Sequence, residues 1–304
     1  MQDRNNPYHR QVELVVRVLP LIWHEPNFAL KGGTAINLFM QELPRLSVDI
    51  DLVFLPITPR DEALKAIDNG LKIISENIEQ TLHGAKARLL SGNEDYYQKL
   101  QVSLNGVQIK IEVSPVMRGT ILPINEMGIG DRIEEAVGYV EARVLDRNEV
   151  YAGKLVAALD RQHPRDLFDV KILREGEGIT DALMDLFVLY LVSSNRPIAE
   201  LLAPNYIPLQ LVFDRQFSGM TMMPVTVSEL ENTREWLLAE IKNHLTDPQK
   251  EFLISFKSAS PNWELLTYRQ AENLPAVQWK LRNIRSMDNK QREKALEKLR
   301  SILF

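Results

Sequence analysis

Phe28-Ala29-Leu30-Lys31-Gly32-Gly33-Thr34 is the stretch that decides the fold, because a glycine pair directly follows a short apolar run. Residues 28–30 predict a strand edge, and residues 34–42 predict a helix. Glycines between the two let the backbone come close to an anion, and the first N–H groups of the helix face the same space. We therefore interpret the turn from Gly32 to Thr34 as a binding site for the phosphates of a nucleotide.

Fifteen residues after Thr34, the sequence Asp49-Ile50-Asp51-Leu52-Val53-Phe54 predicts a second strand that carries two carboxylates. Side chains alternate along a strand, so Asp49 and Asp51 share one face while the apolar residues between them point into the core. Two neighbouring anions repel each other unless one takes a proton, both accept hydrogen bonds, or a cation binds. Carboxylate oxygens suit Mg²⁺ or Mn²⁺. The alternative is an edge strand whose two acids are simply solvated.

A third carboxylate belongs to a predicted hairpin, in which Asn105-Gly106 joins residues 100–104 to the strand 107–113. Apolar and polar residues alternate along that second strand, and Glu112 falls on its polar face. Two-metal sites for phosphoryl transfer usually have a third acid, so Glu112 is a candidate metal ligand. A Glu that is solvated on an open sheet face is the alternative.

A second block, residues 151–170, predicts two helices that meet at Pro164, a residue suited to the first turn of a helix. Lys154 and Arg161 fall on one face of the first helix, so two cations would project together. Asp166 lies in the first turn of the second helix, where the helix dipole favours a carboxylate even without a function.

Together these motifs resemble the AbiEii-type nucleotidyltransferases, the toxins of type IV toxin–antitoxin and abortive-infection systems, within the DNA polymerase β-like nucleotidyltransferase superfamily. The resemblance covers roughly residues 20–175. It rests on Lys31-Gly32-Gly33-Thr34, on Leu43-Pro44-Arg45-Leu46-Ser47-Val48-Asp49-Ile50-Asp51, and on Lys154 followed by Arg165-Asp166-Leu167-Phe168-Asp169. The gap between glycines and carboxylates is longer than in the wider superfamily, and it suits the longer helix of AbiEii-like members.

The resemblance implies a complete active site, an NTP substrate and a metal cofactor, Mg²⁺ or Mn²⁺. The implied nucleotide-binding residues are Lys31, Gly32, Gly33, Thr34 and Lys154, and the implied catalytic residues are Asp49, Asp51, Lys154 and Asp166. Asp49 and Asp51 would bind the metal, with Glu112 beside them, and Asp169 is an alternative to Asp166 as the acid of the last motif. The acceptor would be the 3′ end of tRNA, and a cognate antitoxin would neutralise the enzyme.

The pattern along the chain predicts an α+β protein in two domains. Residues 1–175 would form an α/β-type nucleotidyltransferase core with a mixed sheet, and residues 176–304 a mostly helical C-terminal domain. Within the second domain, the stretch 203–226 is rich in proline and should be irregular, with short extended pieces. Its methionines, Met220, Met222 and Met223, are interpreted as fillers of gaps in the core rather than as a ligand surface.

Composition predicts an ordinary soluble protein of the cytoplasm. The chain has 304 residues, of which 45% are hydrophobic and 25% charged, enough to bury a substantial core. It has no cysteine, which excludes disulfides and thiolate zinc sites. Residues 1–7 lack the pattern of a signal peptide, and the most apolar windows, such as 186–192, are far shorter than the roughly 20 residues needed to cross a bilayer. No membrane partner is expected.

Charge is distributed unevenly along the chain. The net charge of −5 argues against nucleic-acid binding over the whole surface, since phosphate contacts need clustered cations. Residues 279–304, however, contain eight basic and three acidic side chains. The candidates for contact with RNA at the start of this segment are Trp279, Lys280, Arg282 and Arg285. The alternative is a solvated helix face over a leucine stripe.

Three functions of different classes are compatible with these patterns. The first is a toxin that transfers a nucleotide to RNA. The second is a nucleotidyltransferase, or a kinase-like phosphotransferase with the same metal site, that acts on a small molecule or a protein. The third is a noncatalytic nucleotide-binding partner protein, against which the retained Asp49, Asp51 and Lys154 argue.

Overall fold

The structure, a computed structural model, describes residues 7–91 and 96–304. The sequence expectation about a leader pattern falls almost wholly on residues before 7 and so lies outside the described residues. The chain divides into two compact units, one made of residues up to Val150 together with Gly219–Met223, the other of Tyr151–Ser218 and Pro224–Phe304. This division falls after Val150, whereas the sequence predicts a catalytic domain that continues to residue 175. The domain assignment therefore stays a prediction.

A seven-stranded mixed sheet organises the first unit. Its strands are β1 (Phe28–Lys31), β2 (Asp49–Phe54), β3 (Lys86–Ser91), β4 (Tyr97–Leu104), β5 (Val107–Arg118), β6 (Asn125–Gly128) and β7 (Glu141–Val144). They lie in the order β3-β4-β5-β2-β1-β7-β6, with β2 parallel to β5 and β1 parallel to β7. The other neighbours are antiparallel. The predicted α+β class with a mixed sheet is confirmed.

Helices of the first unit pack against this sheet. They are α1 (Pro7–Ile22), α2 (Gly32–Thr34, continued by a π-helix over Ala35–Met40), α3 (Arg60–Thr81), α4 (Asp131–Val137) and the first turn of α5 (Arg147–Arg161). Apolar residues of α3 recur every three or four positions, and Leu64, Ile67 and Leu71 are buried where the helix packs on β3 and β4. In β2 the buried Ile50 alternates with the partly exposed acids on the other face.

The predicted hairpin is confirmed in detail. Strand β4 ends at Leu104 and β5 begins at Val107, and these two residues are paired. Asn105 and Gly106 both have positive φ, of 50° and 78°, as a two-residue turn that follows strand twist requires. The turn fixes the register of β5, and the register places Glu112.

The second unit is helical. After α5 it contains α6 (Pro164–Glu175), α7 (Asp181–Ser193), α8 (Ile198–Leu202), α9 (Gln210–Gln216), α10 (Val227–His244), α11 (Asp247–Lys257), α12 (Pro275–Arg285) and α13 (Asn289–Leu303). Helix α7 is apolar on nearly every side, and it is buried because α8, α10, α11 and α12 all pack against it. Capping boxes at Thr226 and Thr246 begin α10 and α11.

The stretch 203–226 corrects the expectation of irregular structure in part. It contains helix α9, and its residues 219–223 belong to the first unit. There Thr221 pairs with Arg45 as an isolated antiparallel bridge, and Leu46 N–H donates to the carbonyl of Met220 over 2.7 Å. Met220 is buried, as predicted for a filler of the core, but Met222 and Met223 are about half exposed.

Among residues 7–91 and 96–304, none of the helices combines the length and hydrophobicity that a membrane crossing requires.

Candidate active site

Gly32 and Gly33 lie where β1 turns into α2, and both are in close contact with polar side chains. Gly32 has φ of +73°, a conformation that favours glycine. A Cβ added to Gly32 would lie 2.7 Å from Oδ2 of Asp51, and one added to Gly33 would lie 2.7 Å from a guanidinium nitrogen of Arg45. The glycines therefore leave room for the Asp51 carboxylate beside residue 32 and for the Arg45 guanidinium beside residue 33. The structure brings the glycine pair and the carboxylate strand together, as the sequence predicts.

Thr34 begins the helix but uses its hydroxyl inside the protein. The hydroxyl donates to the carbonyl oxygen of Asp49 over 2.5 Å and lies 3.0 Å from Oγ of Ser47. Thr34 is buried. The hydroxyl thus links the turn to the start of β2. The backbone N–H groups of the turn are the donors that face outward from a helix start.

The helix after the glycines is a π-helix, and it ends at Met40 rather than at the predicted Glu42. The buried Asn37 side chain explains part of this geometry. Its Nδ2 donates to the carbonyl of Gly33 over 2.8 Å, and its Oδ1 accepts from the N–H of Arg45 over 3.3 Å. Sequence reasoning assigned no role to Asn37 or Arg45. A buried amide and a buried guanidinium must be paired, yet only the fold shows that they hold the glycine turn.

Asp51 stands in a row of four charged residues on four strands, with two acids between two lysines. Its register partners are Lys31 on β1 and Glu112 on β5, and the partner of Glu112 on β4 is Lys99. Register partners project from the same face of a sheet. The carboxylate of Glu112 lies 3.1 Å from Nζ of Lys99. The predicted neighbourhood of Asp51 and Glu112 is therefore present, but a lysine already pairs with the third acid.

The acids of β2 suit a divalent cation by their chemistry. Asp49 and Asp51 share a face of β2 and offer only oxygen donors, which Mg²⁺ and Mn²⁺ prefer. In the part of the chain that the structure describes, no three His, Cys, Asp or Glu side chains converge as a metal cluster. Magnesium is commonly bound by one or two carboxylates together with substrate phosphates, so two acids suffice.

A second set of charged residues, in the second unit, joins α5 to α6. Nζ of Lys154 lies 2.7 Å from Oδ1 of Asp166 and 2.9 Å from Oδ2 of Asp169. These three side chains are at most 5% exposed. Nε of Arg161 lies 2.5 Å from Oδ2 of Asp166, with its own side chain 60% exposed. We call these four residues the Lys154 cluster. The two predicted alternatives for the last acid, Asp166 and Asp169, both contact Lys154.

The electrostatics of the Lys154 cluster keep Asp166 ionised. Burial raises the pKa of Asp166, but the charges of Lys154 and Arg161 and their hydrogen bonds outweigh burial and hold that pKa well below its usual range. A carboxylate with such a low pKa is a poor proton acceptor. It is suited to hold a lysine in place.

The candidates for RNA contact do not all lie on the surface. Trp279 is 42% exposed on α12, and Arg282 and Arg285 are exposed on the same helix. Lys280 is buried, and its ammonium group donates to the carbonyl oxygens of Ser194 and Arg196. Burial lowers the pKa of Lys280 to about 8. Lys280 therefore does not face solvent, because it closes the carbonyl end of α7.

Comparison with known proteins gives a match over most of the chain. The family model described as "Nucleotidyl transferase AbiEii toxin, Type IV TA system" matches residues 13–283. Among solved structures, MenT4, a nucleotidyltransferase toxin from Mycobacterium tuberculosis H37Rv, is similar in fold, with a TM-score of 0.59 and 15% sequence identity. The alignment covers 97% of this chain and 93% of that chain. No curated protein matches the sequence.

Proposed function

Because the chain belongs to the AbiEii family of nucleotidyltransferase toxins from type IV toxin–antitoxin systems, we propose that it transfers a nucleotide from an NTP to the 3′ end of tRNA. Transfer of this kind would block aminoacylation and hence translation. Membership of the family makes the chain a nucleotidyltransferase with an NTP substrate, and it implies an antitoxin partner. The acceptor, the metal and the roles of single residues are the proposal. We place the reaction in the cytoplasm, where NTPs and tRNA are both present.

The observation that carries the proposal is the contact between the glycine turn and Asp51. A backbone that lies within van der Waals distance of that carboxylate puts phosphate-binding N–H groups next to the acids. Asp49 and Asp51 would hold Mg²⁺ or Mn²⁺, with Glu112 available if it leaves Lys99. When bound, the cation polarises the α-phosphate and lowers the pKa of the acceptor hydroxyl. The N–H groups of Gly33 and Thr34 would donate to the remaining phosphates, beside Lys31 in the row of charges.

Lys154 would neutralise the charge that develops as pyrophosphate leaves. An ammonium group has three N–H donors, and Asp166 and Asp169 accept from two of them. One donor direction is left for a phosphate oxygen, and the two carboxylates fix it. Asp166 and Asp169 are then positioning residues that act through Lys154. On this assignment the catalytic domain includes α5 and α6 and continues to residue 175, with residues 176–304 as the helical domain.

Contact with the acceptor is assigned to the exposed face of α12. Trp279 offers a ring for stacking, and Arg282 and Arg285 offer cations for phosphates. Lys280 is left out of this surface because its ammonium group is satisfied inside the unit.

The test is transfer of label from each α-labelled NTP to total RNA. We expect label in the tRNA fraction with one or more NTPs, and a loss of at least about 100-fold for Asp49→Asn and Asp51→Asn. Asp61→Asn, at an exposed acid in the first turn of α3, is the matched control and should keep full activity. Wild-type rates for Asp51→Asn would refute the proposal. Label on a small molecule or a protein, and not on RNA, would show that the acceptor is that molecule instead of tRNA.

Glu112 needs a test of its own because Lys99 competes for it. If Glu112 helps to hold the cation, Glu112→Gln will raise the Mg²⁺ concentration needed for half-maximal transfer. Lys99→Gln will not raise it, since the change frees the carboxylate. Equal Mg²⁺ dependence for Glu112→Gln and the wild type would remove Glu112 from the site.

A further inference from the structure

An exposed aromatic ring in the second unit is held against a buried arginine. Tyr206, between α8 and α9, is 49% exposed. The guanidinium carbon of Arg234, from α10, lies 4.0 Å from the centre of its ring, and Arg234 itself is 4% exposed. A planar cation at this distance covers one face of the ring. The exposed part of Tyr206 is therefore its other face and its edge.

The backbone on both sides of Tyr206 is fixed by Gln162. The amide of Gln162 donates to the carbonyl of Asn205 over 2.8 Å and accepts from the N–H of Ile207 over 3.2 Å. Arg234 donates to the carbonyl of Ile207 and to Gln162, both over 2.9 Å. Nε of Arg234 is buried and has no hydrogen-bond acceptor among the described residues. The guanidinium contacts the Tyr206 ring by packing against it. A surface tyrosine held in this way is ordered before any ligand arrives.

Gln162 connects the backbone around Tyr206 to the Lys154 cluster along the chain. Gln162 directly follows Arg161, and consecutive Cα atoms are only about 3.8 Å apart. Arg161 pairs with Asp166, which in turn pairs with Lys154. The residue that anchors the Tyr206 loop is thus the chain neighbour of a cation in the cluster. Gln162 adopts a positive φ of 48°, which is uncommon for a residue with a side chain and indicates that the surrounding contacts determine its position.

We propose that Tyr206 is a stacking platform for a nucleobase whose phosphate groups meet Arg161 and Lys154. The inference rests on the proposed function, which supplies two sources of a nucleobase, the NTP and the terminal nucleotide of the acceptor RNA. Every base has a π-face, so an aromatic ring binds bases with little preference among them. Arg161, whose side chain is 60% exposed, carries a guanidinium of the kind that binds the phosphate of a nucleotide.

The test compares Tyr206→Leu with Tyr206→Phe in the labelled transfer assay. The KM for NTP is measured at saturating RNA, and the KM for RNA at saturating NTP. We expect Tyr206→Leu to raise one of these by about 5- to 100-fold, the range for loss of one stacked base. Tyr206→Phe keeps the ring and should stay within about twofold. The substrate whose KM rises is the source of the stacked base. In direct binding, Tyr206→Leu should weaken a non-hydrolysable NTP analogue if the KM for NTP rises, and RNA alone if the KM for RNA rises.

Phe304→Leu is the matched control, because Phe304 is also an exposed ring in the second unit with a cation, Lys250, over it. It should leave both KM values unchanged. Unchanged KM values for Tyr206→Leu, in a preparation where Asp51→Asn abolishes transfer, would overturn the platform and leave the proposed function intact. If Asp51→Asn keeps transfer, the proposed function itself has failed. If Tyr206→Leu weakens only binding of the antitoxin, the surface is a protein-docking site and the platform is refuted.

Discussion

At the scale of single residues, the candidate site depends on the absence of a Cβ atom at Gly32. Other glycines of the chain also have a positive φ, but only Gly32 has Oδ2 of Asp51 where its Cβ would be. Gly106 offers a comparison, since it has nearly the same φ and nothing within 4 Å of where a Cβ would be. The two glycines separate backbone strain from displacement of the carboxylate.

Gly32→Ala should therefore reduce transfer much more than Gly106→Ala. Both changes strain a left-handed residue by about 1–2 kcal/mol, so both should lower the midpoint of urea unfolding. Only at Gly32 must Asp51 also move, because the new methyl group would overlap its carboxylate. We expect a fall in kcat of about tenfold or more for Gly32→Ala, and near wild-type kcat for Gly106→Ala. Equal kcat values for the two variants would show that the contact does not matter.

Asp166 makes stability depend on pH in a known direction. Its folded pKa lies below the value of about 3.9 expected in the unfolded chain. Its contribution is therefore full above about pH 5, and it is lost progressively as the pH falls from the unfolded pKa towards the lower folded pKa, because the unfolded state binds more protons in that range. The wild type should lose stability between about pH 5 and pH 3 more steeply than Asp166→Asn. Urea midpoints at a series of pH values measure this.

The control for that series is Asp214→Asn, at an exposed acid of α9. It should follow the wild-type curve. Parallel curves for Asp166→Asn and the wild type would mean that Asp166 is not held ionised by Lys154. Variants of Lys154 should lose folding stability as well as activity, since removal of one partner from a buried ion pair costs about 3–5 kcal/mol.

At the scale of elements, the parts of the site that follow local rules could be predicted from the sequence. Strand β2 and the hairpin before β5 follow from strict alternation and from Asn105-Gly106. Local rules do not predict the π-helix, in which Asn37 bonds to Gly33 and to Arg45 across the turn. They also miss β6 at Asn125–Gly128, which has no apolar alternation and exists because β7 pairs with it.

Only the α5 part of the Lys154 cluster could be predicted from local spacing. Helical spacing brings Lys154 and Arg161 to one face of α5, and the structure brings both to Asp166. Which acid they meet depends on how α6 packs against α5, and spacing within one helix carries no information about that. The burial of Lys280 is a similar case, because its acceptors lie about 85 positions earlier, at the end of α7.

Glu149, in the first turn of α5, should be a strong determinant of stability. Its buried carboxylate accepts from the N–H groups of Ile121 and Leu122, over 3.1 and 2.9 Å, and from the hydroxyl of Thr120. Glu149→Gln puts an NH₂ donor against these donors and should cost about 1–3 kcal/mol. Glu135→Gln, at an exposed position, is the control for loss of a charge. Urea unfolding measures both, and equal midpoints would contradict the account.

At the scale of the whole molecule, the chain does not build its two units one after the other. It leaves the first unit after Val150 and returns for Gly219–Met223 before it completes the second. The returning residues pair with Pro44, Arg45 and Leu46, just before the carboxylate strand.

Met220→Ala should consequently weaken the first unit although residue 220 lies far along the chain. Met220 is 1% exposed, and such truncations cost about 2–5 kcal/mol. Met222→Ala, at a side chain that is about half exposed, should change stability by no more than about 0.5 kcal/mol. Hydrogen exchange should rise in residues 44–51 for Met220→Ala and not for Met222→Ala. No rise in either would show that the returning segment contributes little to the start of β2.

The returning segment also governs how this protein could be recombined with its relatives. A chimera made by a single crossover, with everything after α6 taken from another family member, would give Arg45 and Leu46 of the first unit a foreign partner. The other family member would have to supply a five-residue segment that pairs with residues 44–46 of this protein, although its own segment pairs with a different sequence. A functional hybrid therefore needs three junctions, with Gly219–Met223 kept as native sequence inside an otherwise exchanged helical half.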